Sequence, residues 1–306
     1  MPADPTQTPL AWIGLGALGA PMALNLLQAG YGLTVFNRNP NRCESLLSAG
    51  ATQATTPAHA AAGADVLLVC VSDDAAVESV VLGATHPEFR TDHTESRTAA
   101  IEGLRPGSLV IDCSTISPAT SRRVAAALAE REIAYIDAPV TGGTEGAKAG
   151  TLSVLVGAEA AHLERARPLL EVLGSTINHF GPVGAGQEAK AVNQVLVAGS
   201  YAAVAEALSL ADRLGLNRSQ VVEALKGGAA GSWALEHRSE RMINDHYPLG
   251  FKLNLHRKDL AIALAAAADQ QLELPVSQLV AAMEDQLVQD GHGDLDVSVL
   301  ARWFKS

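Results

Sequence analysis

The chain has 306 residues, 48% of them hydrophobic and 18% charged, and carries a formal net charge of −11. That composition describes a well-buried globular protein of one large or two smaller domains rather than a disordered chain. The acidic balance argues against nucleic acid as the main partner, although a locally basic pocket for a small anion is still compatible with it.

The first residues, "MPADPTQTPL", have neither a basic n-region nor an apolar h-region and so do not read as a signal peptide. "LAWIGLG" reads as a strand, followed by a helix through "PMALNLLQAG" that Gly30 stops. "LTVFNR", "ADVLLVCV", "SLVIDCS" and "IAYIDAPV" are short β-branched runs, each followed by turn residues and helical pattern. Near-continuous apolar strands alternating with helices imply a parallel sheet covered on both faces. "TLSVLVG" and "TINHFG" add two more strands. The polar stretch 83–100, with His86 and His93, reads as an insertion; no cysteine or further carboxylate–histidine pair stands at ligand spacing, so no metal is expected. Cys43, Cys70 and Cys113 are scattered, which is neither a disulfide framework nor a zinc pattern, and a reducing cytoplasm is expected.

Residues 187–215 look like one long helix, and helical pattern then runs to the end, broken at "KGGAAGS" and "ELP". The least charged run, Ala191 to Ala205, is too short for a membrane span and contains Asn193, Gln194 and Ser200, so a buried helix is expected. The predicted architecture is α/β: a Rossmann-type doubly wound domain over 1–181, then an all-helical substrate and oligomerisation domain over 182–306, joined by the long helix.

"GLGALG", from Gly14 through Leu15, Gly16, Ala17 and Leu18 to Gly19, is a G-x-G-x-x-G between a predicted strand and a predicted helix. The glycines allow a tight turn and close backbone approach, so that a pyrophosphate can rest on the helix N-terminus. A glycine-rich turn without a ligand would look the same in isolation; the flanking strand and helix favour a dinucleotide. At the end of the second strand, where a carboxylate would suit NAD, stand Asn37 and Arg38. An amide does not repel a 2′-phosphate and a guanidinium can pair with it, so NADP(H) is preferred over NAD(H), the alternative being a solvated surface arginine.

"DAPVTGG" ends a strand in Thr141, Gly142 and Gly143, whose backbone N–H groups could cradle a carboxylate or simply close a turn. In "GAGQEAKAVNQ", Lys190, Asn193 and Gln194 stand at i, i+3 and i+4 and share one helix face. A lysine at a helix edge usually snorkels to solvent. Two amides on the same face need partners if buried, and a polar ligand supplies them. Hydride transfer to a carbonyl leaves an alkoxide, which Lys190 can protonate as general acid, acting as base in reverse.

These blocks together resemble the β-hydroxyacid dehydrogenase family, the group of 3-hydroxyisobutyrate dehydrogenase, tartronate semialdehyde reductase and the glyoxylate and succinic semialdehyde reductases. "GLGALGAPMALNL" is similar to its cofactor signature, and "DCSTISP", "DAPVTGG", "GAGQEAKAVNQ", "KDLAIA" and "GHGDLDVSVL" match its later blocks in order, almost end to end. The resemblance implies that Lys190 is catalytic and that Asn193, with Gln194, positions the substrate. It also implies that Thr141, Gly142 and Gly143 hold the substrate carboxylate. Thr115, Lys258, Val71 and Ser72 fall where the family contacts the cofactor, and Phe251 and Asp259 where it closes over the active site. The family fold implies a homodimer or homotetramer acting on a small carboxylate-bearing substrate. Departures are Thr141 in place of serine and Gln194 in place of a second asparagine, the latter more like the tartronate semialdehyde reductases. The expected activity is NADP(H)-dependent reduction of a semialdehyde or glyoxylate. The rivals are oxidative 3-hydroxyisobutyrate dehydrogenation, an imine reductase, a 6-phosphogluconate dehydrogenase and a non-catalytic NADP-binding module. Lys190 counts against the imine reductase and the silent module, and the short helical part against the sugar-acid enzyme.

Overall fold

The computed structural model describes residues 8–83 and 98–305; His86, His93 and most of the 83–100 stretch lie outside the described residues. The chain divides into two compact units, one running through Lys190 and one starting at Ala191.

The strands of the first unit are β1 (Leu10–Ile13), β2 (Leu33–Phe36), β3 (Thr52–Gln53), β4 (Val66–Val69), β5 (Leu109–Asp112), β6 (Ala134–Asp137), β7 (Val140–Thr141), β8 (Leu152–Gly157) and β9 (Gly174–Gly181). They form one sheet in the order β3-β2-β1-β4-β5-β6-β8-β7, with β9 also paired to β8. From β3 to β6 every pairing is parallel. This is the strand order of dinucleotide-binding sheets, with its switch point between β1 and β4. Beyond β6 the sheet is mixed: β8 runs antiparallel to β6 and β7 and parallel to β9. β3, two exposed residues at the sheet edge, was not anticipated, being too short to show a period. The run read as one strand ending at Thr141 is instead two, β6 and the two-residue β7.

Side chains alternate across each strand, and the two faces carry separate cores. Leu10, Trp12, Val35, Leu68 and Ile111 pack on one face, and Ala11, Ile13, Leu67, Val69 and Val110 on the other. Each fully buried large apolar side chain contributes about 1.5–3 kcal/mol, and cover on both faces is why these strands read as unbroken apolar runs. The connecting helices are α1 (Gly19–Gln28), α2 (Glu44–Ser48), α3 (Pro57–Ala61), α4 (Asp74–Leu82), α5 (Pro118–Ala129), α6 (Gly143–Ala149) and α7 (Ala160–Leu173). Their starts follow the expected chemistry: Thr56, Asp73 and Ser117 accept from the backbone N–H groups of His59, Ala76 and Thr120 and cap α3, α4 and α5.

One continuous helix, α8 (Ala185–Arg213), carries the chain from the first unit into the second. The second unit continues with α9 (Arg218–Leu225), α10 (Trp233–Asn244), α11 (Leu253–Asp269) and α12 (Pro275–Leu287), and ends in a 3-10 helix over Val297–Lys305. Its core includes Ala198, Tyr201, Leu208, Met242, Leu260 and Leu300. Asp296, fully buried, accepts from the N–H groups of Gly250, Phe251 and Ser298 and lies 3.1 Å from the Arg241 guanidinium and 3.6 Å from that of Arg238.

The expectation that the run Ala191–Ala205 is a buried helix too short for a membrane span needs correction, because the helix that contains it is longer. By length and composition alone α8 is long and apolar enough to cross a membrane, a test that core helices of soluble proteins also pass. It is also open along one side, with Val192, Leu196 and Leu210 more than half exposed.

Candidate active site

The glycine loop follows β1, and each of its three glycines has a different reason to be glycine. Gly14 sits at φ +97°, and a Cβ there would lie 2.2 Å from the Cys70 carbonyl oxygen at the end of β4. A Cβ on Gly19 would lie 2.1 Å from the Gly14 carbonyl oxygen, so α1 packs tightly against the loop. Gly16 faces open space, with nothing within 4 Å of where its Cβ would be. A tight turn, a close helix and an open approach for a pyrophosphate are the three requirements of a dinucleotide loop. The start of α1 has no side-chain cap and no acidic residue in its first turn, which leaves its N–H groups and positive dipole end to an anion. The residues present therefore fit a nicotinamide dinucleotide.

Asn37 plays a part not foreseen from its position. Its Oδ1 accepts from Leu15 N–H at 2.8 Å and its Nδ2 donates to the Asn39 carbonyl, so it ties the glycine loop to the end of β2. Arg38, next to it, is exposed. At the end of β4, Val71 N–H donates to Ser114 Oγ at 2.9 Å, which joins the Val71–Ser72 turn to the segment after β5. Thr115 lies in that segment, half-buried between the buried Ser114 and Ile116. Ser72 is exposed, its hydroxyl donating to Asp73.

The catalytic candidate is held by main chain. Lys190 is 7% exposed and its Nζ donates to the Val140 carbonyl oxygen at 2.9 Å, directly beside Thr141. After Thr141 the chain turns through Gly142 at φ +130° and Gly143 at φ +66°, conformations that favour glycine. Lysine and turn are thus brought into one place within the first unit.

Three buried groups that the sequence reading passed over fix this arrangement. Asp137, at the end of β6, accepts from Gly184 N–H at 2.7 Å and Gln187 N–H at 2.9 Å and so caps the start of α8 from 47 residues upstream. Burial raises its carboxyl to about 6 against the lowering effect of those N–H donors. Asp112, at the end of β5, accepts from Ser114 N–H and from the Tyr135 hydroxyl, and burial raises it to about 6 as well. Gln187, 1% exposed, accepts from Ile116 N–H through Oε1 and donates to the Ser114 carbonyl through Nε2. The only hint in the sequence was an aspartate ending each of two apolar strands.

In the second unit four expected residues form one chain of contacts. Asn193 Nδ2 donates to Gln194 Oε1 at 2.7 Å, Gln194 Nε2 donates to Asp259 Oδ2 at 2.7 Å, and Lys258 Nζ lies 2.9 Å from Asp259 Oδ1. A carboxylate only accepts, so Asp259 fixes which way both amides point. Lys258, expected against the cofactor, is ion-paired to its neighbour. Phe251 is held by its N–H on Asp296, with its ring edge-on to His256 at 5.7 Å between centroids. Among the described residues no group of three or more His, Cys, Asp or Glu side chains is placed to hold a metal ion.

Two family models cover nearly all of the chain. One, the NAD binding domain of 6-phosphogluconate dehydrogenase, matches residues 9–181, and the other, the NAD-binding region of NADP-dependent 3-hydroxyisobutyrate dehydrogenase, matches 184–304. The chain is 38% identical to an NAD-dependent L-serine dehydrogenase of Pseudomonas aeruginosa, over 96% of this chain and 97% of that one. It is also 38% identical to 2-hydroxy-3-oxopropionate reductase of Escherichia coli, over 96% of each. A 3-hydroxyisobutyrate dehydrogenase of Mycobacterium tuberculosis, solved with L-serine, superposes with a TM-score of 0.84 at 32% identity, covering 98% of this chain and 99% of that one. Imine reductases align at lower identity, 20% for one from Pseudomonas with a TM-score of 0.61, and share the fold alone. With the glycine loop, the β1–β4 switch point and the buried lysine already in place, these matches make the chain a member of the β-hydroxyacid dehydrogenase family, an NAD(P)-dependent oxidoreductase.

Proposed function

We propose that the protein uses NADP(H) to reduce a small carboxylate-bearing aldehyde or keto acid, a semialdehyde or glyoxylate, to the hydroxyacid. The observation that carries this reading is the Lys190 ammonium, held on the Val140 carbonyl beside the Thr141–Gly143 turn. A bound nicotinamide supplies the hydride. Lys190 Nζ gives its proton to the carbonyl oxygen as the alkoxide forms and recovers one from bulk solvent afterwards; in the oxidative direction it takes the hydroxyl proton. The N–H groups of Thr141, Gly142 and Gly143 receive the carboxylate, and Asn193 and Gln194 orient the substrate, with Phe251 and Asp259 covering it. The preference for the phosphorylated cofactor is supported by Asn37 and the exposed Arg38, where an NAD enzyme would place a carboxylate. Thr115, Val71, Ser72 and Lys258 complete the cofactor contacts.

A second reading has its own support. The NAD-dependent relative named for L-serine, and the structure solved with L-serine, favour oxidation of a 3-hydroxyacid with NAD. One experiment separates the two readings. Initial rates are measured for NADPH and NADH with glyoxylate and with succinic, tartronate and methylmalonate semialdehydes. NAD and NADP are tested in parallel with L-serine and 3-hydroxyisobutyrate, and Lys190→Ala is run throughout. Reduction by NADPH well ahead of the others, lost by about a hundredfold or more in the variant, is the expected result. Faster NAD-linked oxidation of serine overturns the reductive reading, and full activity in Lys190→Ala removes the lysine from the chemistry. The exposed apolar side chains of α8 support assembly as a homodimer or homotetramer, and the scattering of Cys43, Cys70 and Cys113, which form no disulfide framework, supports a reducing cytoplasm as its location.

A further inference from the structure

We propose that Gln187 is a positioning residue: its side-chain amide locks the Ser114–Ile116 segment, and with it Thr115, to the turn of α8 that carries Lys190. The inference rests on the reading of Thr115 as a cofactor contact and Lys190 as the proton donor.

The geometry is specific. A glutamine amide has one accepting end and one donating end, and here they meet an N–H and a carbonyl that bracket a single residue. Oε1 takes Ile116 N–H at 3.2 Å and Nε2 gives to Ser114 C=O at 2.8 Å. Gln187 and Lys190 are three apart on one helix and so point to the same side. Any shift of Thr115 relative to the lysine must break one of these two buried bonds. The segment is held from its other sides as well: Ser114 N–H on Asp112, Val71 N–H on Ser114 Oγ, and Ser117 on Asp74 at 3.0 Å through its N–H. The helix end of the clamp is equally fixed, because Asp137 holds the N–H groups of Gly184 and Gln187. Glycines at 157 and 186 allow that carboxylate its place: a Cβ on either would lie 2.5 or 2.8 Å from an Asp137 oxygen. The cofactor-side loop and the proton donor therefore form one rigid body, set before any ligand arrives, which is what a hydride and a proton delivered to one carbonyl require.

A residue that merely fills space would behave differently from a clamp, and two substitutions tell them apart. Gln187→Met keeps the length and removes both hydrogen bonds. Gln187→Glu keeps the acceptor for Ile116 but, when ionised, faces the Ser114 carbonyl with a second acceptor; when protonated, its O–H replaces the lost donor. With NADPH and tartronate semialdehyde, Gln187→Met is expected to lose roughly ten- to hundredfold in kcat at every pH, with the NADPH dissociation constant moving by less than about threefold. Gln187→Glu should match that loss near pH 8 and recover toward wild type as the pH falls to about 5.5, because a buried glutamate titrates well above its ordinary value. Hydrogen exchange at the Ile116 amide, read against β5 as an internal control, should quicken by about tenfold in Gln187→Met. Wild-type kcat in Gln187→Met, or Gln187→Glu following Gln187→Met at every pH, overturns the proposal. So does unchanged exchange at Ile116. Should the wild type turn over none of the tested substrates, the functional reading fails by itself, and the exchange and NADPH-binding measurements still decide the clamp.

Discussion

The two units bury acidic side chains in different ways. In the first, Asp112 and Asp137 are completely buried and meet neutral donors: backbone N–H groups and the Tyr135 hydroxyl. In the second, buried acids meet cations or imidazole: Asp296 with Arg238 and Arg241, Asp259 with Lys258, and Glu284 with His256 at 2.6 Å. The reason lies in the backbone. Strand ends and the turns after them offer N–H groups that no ladder uses, whereas helices consume theirs internally except in the first turn. The second unit's buried acids take a cationic or imidazole side chain as well, Asp296 keeping three backbone N–H donors beside its two guanidinium groups. What this teaches is that the first unit's buried acids are held without an ion pair, whereas Asp259 and Asp296 of the second are held with one.

That contrast can be broken most forcefully at Asp296. Asp296→Asn should cost about 3–5 kcal/mol, because two guanidinium groups keep their positive charge while their shared carboxylate is gone. The expected signature is a lowered thermal midpoint and lost exchange protection around Gly250 and Phe251. Loss below about 1 kcal/mol would show that the arginines, not the aspartate, organise this region. A smaller and opposite effect is expected from pH. Burial raises Asp112 and Asp137 to about 6 in the folded chain, above the ordinary carboxyl value of 3.8. The folded state thus binds more protons over that range, so stability rises as pH falls from about 7.5 toward 5, by about 1.4 kcal/mol for each group. Asp245, in the second unit, is held below its ordinary value first by the Arg302 hydrogen bond, and its contribution is lost only below its unfolded value of 3.8. Urea midpoints that stay flat or drop between pH 7.5 and 5 would remove the first half of the comparison. The mildest test concerns an exposed charge. Arg38→Asp should shift the NADPH-to-NADH ratio of kcat/KM by about ten- to hundredfold toward NADH, and an unchanged ratio would return Arg38 to an ordinary surface role.

Much of this was legible in the residues. Leu10–Ile13 and Val66–Val69 are unbroken apolar runs because helices cover both faces, and Gly14 to Gly19 fell between strand and helix as a dinucleotide loop requires. Lys190 stood out because an ammonium in an Ala-rich helix needs a reason. Thr52–Gln53 was missed because two residues cannot display a period, and the break that separates Val140–Thr141 from β6 left no mark in the apolar run. Gln187 was missed for a different cause: its partners lie 71 and 73 residues away, and nothing local marks a glutamine as a clamp. Asn37 was read for its charge, while its observed bond to Leu15 N–H spans 22 residues.

The hydrogen bonds around Lys190 have a consequence for how the protein can vary. Lys190 binds the Val140 carbonyl, Gln187 binds the Ser114 carbonyl and the Ile116 amide, and Asp137 binds the amides of Gly184 and Gln187. Every one of these partners is a peptide group, which nearly all amino acids supply alike. Mutational drift at positions 114, 116 and 140 therefore leaves the acceptors and donors in place. The sensitive positions are the three side chains themselves, together with Gly157 and Gly186, where a Cβ would crowd the Asp137 carboxylate.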